Sequence, residues 1–124
     1  MKLKFDTIIL FVRSVEKLKF FYVDILQLKV IEETDGWLLL KAGAANIGLH
    51  KIGGAYLDKI SDDYKFDNNT KIVFEVEDDI YKVREQLLAK KVTLKEIKTF
   101  DNYDFLVCDG EDPEGNVFQL KQKK

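Results

Sequence analysis

The chain has 124 residues, a length that suits one domain with a buried core. Hydrophobic residues make up 46% and charged residues 34%, which excludes a disordered chain. Twenty Lys and Arg against 22 Asp and Glu leave a net charge of -2, so neither nucleic acid nor a membrane surface is an expected partner.

The first half opens on Leu3–Val12, an apolar and β-branched run that predicts a strand. This run ends at Arg13, too short for a signal peptide or a membrane span. Ser14 is placed to cap a helix, and Val15, Leu18, Tyr22 and Ile25 give that helix its apolar stripe. Leu28–Glu33 predicts a second strand, Asp35-Gly36 a hairpin turn, and Trp37–Lys41 a third strand. Ala42-Gly43-Ala44 turns the chain into Asn46–Lys51, the fourth. Gly53–Asn69 lacks a period and reads as a linker, partly ordered by Tyr56, Leu57, Tyr64 and Phe66.

The same order then returns. Lys71–Val76 predicts a strand, Asp78 or Asp79 a cap, and Ile80, Val83 and Leu87 a helix stripe. Val92–Ile97, Tyr103–Cys108 and Asn116–Lys121 follow as strands. Lys71 lies 64 positions after Thr7, close to half the chain, so one supersecondary unit is repeated. The halves cover about 1–52 and 70–124 of a single domain spanning 1–124. Asp112-Pro113-Glu114-Gly115-Asn116 is a turn motif, with proline presetting φ and Gly115 free to take a positive φ. The terminal Lys121-Gln122-Lys123-Lys124 reads as a solvated end. Cys108 is the single cysteine, so no internal disulfide forms, which suits the cytoplasm.

Phe20-Phe21-Tyr22 in the first helix, the two β-α-β-β-β halves and the Asp-Pro-Glu-Gly-Asn turn together resemble the vicinal oxygen chelate superfamily. That group includes glyoxalase I, bleomycin resistance proteins, fosfomycin resistance enzymes and extradiol dioxygenases. The resemblance covers nearly the whole chain and departs at Gln27, where the family often has glycine. It implies an α+β fold of two curved mixed sheets with the helices outside and a concave pocket between. It also implies a homodimer in which halves of neighbouring chains pair, or a monomer that closes on itself.

In metal-dependent members four strand positions hold a divalent ion. Carried onto this chain they are Thr7, Gly48, Lys71 and Gln119. Glycine has no side chain and an ammonium group cannot coordinate, so no metal and no other cofactor is expected. A displaced site built on His50 and Glu75 has too few strong ligands.

Strand alternation places Phe5, Thr7, Ile9 and Phe11 toward the concavity, with Asn46, Gly48 and His50. Lys71, Val73 and Glu75 join them in the second half, with Val117 and Gln119. Trp37 and Leu39, or in the other register Leu38 and Leu40, also face inward; so do Tyr103, Phe105 and Val107. Cys108 falls on the core side, and no catalytic constellation is visible.

The ligand-binding set is therefore Phe5, Thr7, Phe11, Trp37, Asn46, His50, Lys71, Glu75, Phe105 and Gln119. Aromatic walls with a few polar groups suit a small organic ligand, so the expectation is a metal-free binding protein similar to the bleomycin-resistance branch. The alternatives are a metal-dependent lyase or dioxygenase with an unusual site, and an interaction module whose concave residues pack on a partner.

Overall fold

The computed structural model describes residues 1–2, 4–66 and 70–124, in two compact units, Met1–Tyr64 and Lys65–Lys124. In the first unit, β1 (Thr7–Val12) leads to α1 (Val15–Lys19). The Ser14 side chain caps this helix by accepting from the Lys17 amide at 3.2 Å. The helix continues as a π-helical segment, Phe20–Ile25, and then come β2 (Lys29–Thr34), β3 (Trp37–Ala42) and β4 (Ala45–Lys51). The strands order as β1-β4-β3-β2, with β1 and β4 parallel and the other pairs antiparallel.

The second unit repeats that plan. β5 (Lys71–Glu75), α3 (Ile80–Ala89), β6 (Thr93–Leu94), β7 (Phe105–Glu111) and β8 (Val117–Lys123) form the order β5-β8-β7-β6, again with one parallel pair. Asp79 is the cap, accepting from the Tyr81 amide at 2.9 Å. The α+β repeat read from sequence is the observed fold.

Alternation sorts each sheet into two faces. In the first unit Leu10, Val12, Leu38, Leu40, Ile47 and Leu49 are buried, and α1 packs over β3 and β4. In the second, Phe118, Leu120 and Cys108 are buried on the side that α3 covers.

Several boundaries differ from expectation. β1 starts at Thr7, and Leu3 lies outside the described residues. The expected strand Val92–Ile97 shrinks to Thr93–Leu94 plus a single bridge from Lys98 to Val107. β7 begins two residues later than expected and runs on to Glu111. The linker contains a short helix, α2 (Gly54–Leu57), and residues 67–69 of it lie outside the described residues. Its Lys65 and Phe66 belong to the second unit, bonded to the carbonyls of Pro113 and Glu114.

Both main helices end on a non-glycine residue at positive φ, Gln27 and Lys91, each at 64°. At Gln27 the chain leaves through a wide turn, with the Leu26 amide bonded to Phe21 and that of Leu28 to Tyr22. At Lys91 the amides of Lys91 and Val92 bond to Leu88 and Leu87, the Schellman pattern in which glycine is favoured. Lys91→Gly should therefore raise stability by about 1 kcal/mol, seen as a higher urea midpoint at unchanged slope.

Candidate functional site

The open face of the first sheet is built around a glycine. Gly48 on β4 pairs with Ile9 on one side and Leu39 on the other. A β-carbon placed on Gly48 would lie 2.5 Å from Cη2 of Trp37, so the indole lies across the strand where a side chain would stand. The indole is held there by a bond from its Nε1 to Glu32 Oε2 at 3.0 Å. A β-bulge makes that bond possible. The β2–β3 register shifts between Val30 and Glu32, which brings Glu32 opposite Leu39 and onto the side of Trp37.

His50 and Phe11 complete the aromatic row. Both are in register, with His50 between Phe11 and Trp37. Ring centroids are 5.4 Å apart for Phe11–His50 and 6.0 Å for Trp37–His50. His50 Nδ1 lies 2.8 Å from the Lys51 carbonyl. Trp37 and His50 also line a groove of about 590 Å³ bounded by Asp35, Lys51, Ile52 and Leu57.

The corresponding face of the second unit is polar at its centre. Asp109 accepts from Lys71 Nζ at 3.1 Å and from Gln119 Nε2 at 2.8 Å. The Asp109 side chain is 14% exposed and that of Lys71 43%. Burial acts to raise the Asp109 pKa, but the bonds from Gln119 and Lys71, with the charges of Lys71 and Lys98, outweigh it and hold the carboxyl below its ordinary value. A depressed carboxyl stabilises the fold above its ordinary pKa of 3.8 and loses that contribution as the pH falls through the folded value. Stability should therefore drop on acidification below about pH 4, and Asp109→Asn should remove that part of the drop in a pH series of urea midpoints. Burial raises the Cys108 thiol, which leaves it a packing residue.

The four positions that hold a metal in related folds do not fit a divalent ion here. Gly48 is covered by the indole, and Lys71 presents an ammonium group bonded to Asp109. Gln119 turns its amide NH₂ to the same carboxylate, and Thr7 donates its hydroxyl to Asp6 at 2.6 Å. Among the described residues no three His, Cys, Asp or Glu cluster as a ligand set.

Of the residues singled out in the sequence, Phe11, Trp37 and His50 come together in the first unit. Thr7 and Asn46 are register partners further along the same strands, and Phe5 precedes β1, 67% exposed. In the second unit Lys71 and Gln119 meet through Asp109, Glu75 lies opposite Lys121, and Phe105 lies beneath Lys121. Of the two registers left open for β3, the structure takes the one with Trp37 and Leu39 on the open face.

Sequence reading missed Asp109, Lys121 and Glu32. Asp109 and Lys121 were within reach of alternation, since each stands two places beyond a residue already assigned to that face. Glu32 carried no signal, because the bulge that aims it is a property of the strand pair.

Two β-α-β-β-β units, each with one helix-covered face, define an α+β fold built on a repeated module. The chain belongs to the Glyoxalase/Bleomycin resistance protein/Dioxygenase superfamily, whose model matches residues 4–120. No protein of curated function matches the sequence. Several solved structures share the fold. An integron cassette protein from the mobile metagenome of V. cholerae has a TM-score of 0.74 at 20% identity, covering 100% of this chain and 98% of its own. TnmS3, an antibiotic binding protein from Streptomyces sp. CB03234, has a TM-score of 0.76 at 18% identity, covering 99% and 98%. The fosfomycin resistance protein FosX from Listeria monocytogenes has a TM-score of 0.72 at 16% identity, covering 100% and 94%. At these identities the likeness is one of fold. Among the described residues no helix is long and apolar enough to cross a membrane.

Proposed function

We propose that this protein binds a small aromatic or amphipathic molecule without using a metal ion. The observation that carries this reading is the Trp37 indole lying over Gly48, where a metal-dependent relative needs a ligating side chain. Flat aromatic surface beside hydrogen-bonding groups is the chemistry of a small-ligand site, and the ligand stacks on Trp37, His50 and Phe11. Thr7, Asn46 and Phe5 extend that surface, while Lys71, Glu75, Phe105 and Gln119 are the contact candidates of the second unit. The resemblance in fold to an antibiotic binding protein supports the class.

Trp37 is the single tryptophan of the chain, so its emission reports on this site directly. Titration of aromatic antibiotics and metabolites should quench or shift that emission and give matching heats in calorimetry. Trp37→Ala should weaken binding about tenfold or more, the loss of one well-packed aromatic contact. Silence across a broad panel would sink the proposal. Stoichiometric zinc, nickel, iron or manganese in protein purified without chelator would overturn its metal-free part in favour of a lyase or dioxygenase.

The protein is further proposed to act in the cytoplasm as a homodimer. The reduced, buried Cys108 supports the compartment, and the apolar exposure of Phe5, Ile9 and Phe11 supports a partner copy. Sedimentation at a single-chain mass across micromolar concentrations would exclude the dimer.

A further inference from the structure

One face of the second unit carries aromatic and cationic groups that packing does not use. Phe100 is 55% exposed and Tyr103 36%. Their ring centroids are 6.0 Å apart, and Tyr103 in turn lies 5.6 Å from Phe105. Two ammonium groups stand on these rings. Lys98 Nζ is 5.7 Å from the Phe100 centroid, and Lys121 Nζ is 4.4 Å from that of Phe105.

The sheet register puts both lysines on one face, since Lys98 and Lys121 each pair with Val107 from opposite sides. Ion pairs in the structure include Lys19–Glu33, Lys71–Asp109 and Arg84–Glu96, and neither Lys98 nor Lys121 takes part in one of these. The acids that alternation places on this face are Asp109, engaged by Lys71 and Gln119 and also under the charge of Lys98, then Glu111, two places beyond Asp109 on β7, and Glu75, the register partner of Lys121. Leaving aromatic rings in water costs hydrophobic free energy, and ammonium groups over those rings keep donors for an incoming anion. The combination complements a flat organic anion, with its ring on Phe100 and Tyr103 and its charge at the lysines.

We propose that this cluster is an anion-recognising site and that the ligand it takes is an aromatic acid. The proposal rests on the reading of the chain as a small-molecule binder and narrows its ligand class.

Calorimetric titration of the full chain with 2-naphthoate and with its neutral amide, 2-naphthamide, tests it. One charge-assisted contact predicts about tenfold tighter binding of the naphthoate at low ionic strength. Lys98→Gln with Lys121→Gln should erase that difference while leaving naphthamide affinity in place. Phe100→Ala should weaken both compounds. Equal binding of the two compounds, unmoved by the lysine changes, overturns the proposal while leaving Trp37 quenching by neutral aromatics to decide the broader reading. Failure of both compounds to bind also overturns it.

Discussion

Replacing Asp112 by alanine should lower stability by about 3 to 4 kcal/mol, the largest effect expected from any single change outside the apolar core. Asp112 is buried, and its carboxylate organises the turn before β8. Oδ1 accepts from the amides of Glu114 and Asn116, both at 2.9 Å, and Oδ2 accepts from Asn116 Nδ2 at 2.8 Å. Alanine removes the acceptor of all three bonds where water has little access, and each lost bond costs about 1 to 3 kcal/mol before relaxation. The loss also reaches beyond the turn, because Lys65 and Phe66 bond to the carbonyls of Pro113 and Glu114. Urea denaturation should show a lower midpoint with little change in slope. A loss below about 1 kcal/mol would mean that the turn is held by proline and Gly115 alone.

The second large effect is on binding. Gly48→Ala should abolish ligand-dependent quenching of Trp37 while costing only about 1 kcal/mol of stability. The added methyl would sit 2.5 Å from Cη2 and 2.9 Å from Cζ3 of the indole, contacts that no side chain tolerates. The obstruction is the outer edge of a side chain on an open face, so the ring swings away and the sheet remains. Trp37 then loses its bond to Glu32, and its emission should shift to the red as the indole enters water. Unchanged emission, or full retention of binding, would show that the ring is not held over Gly48 or plays no part in the site. Gly48→Glu adds a carboxylate at a metal position yet should bind no divalent ion, since Lys71, Gln119 and Thr7 remain unsuited to ligation.

The architecture was legible in the sequence because it is written in local periodicity. The strand-helix-strand order, the caps Ser14 and Asp79, the hairpin at Asp35-Gly36 and the positive φ at Gly115 depend on residues close in the chain. The sorting of Leu38, Leu40, Ile47 and Leu49 to the core follows from a period of two, once one residue of each strand is placed. The residues at the four positions that the family resemblance assigns to metal ligation, Thr7, Gly48, Lys71 and Gln119, were also read directly from the sequence.

Where strands stop, and which polar group meets which, belonged to the tertiary structure. β6 shortens and β7 shifts because a strand lasts as long as its partner does, and a partner lies far away in sequence. Asp109 becomes the centre of a polar network only when Lys71 and Gln119, 38 and 10 positions away, are brought to it. The indole takes its place because a bulge turns Glu32 toward it and Gly48 leaves room beneath. By itself the sequence determined the repeated units, most of their buried faces and which residues stand at positions 7, 48, 71 and 119, all properties of side chains and short periods. Tertiary structure alone decided that an aromatic platform covers one of those positions and an ion pair occupies another. Both depend on register between distant strands.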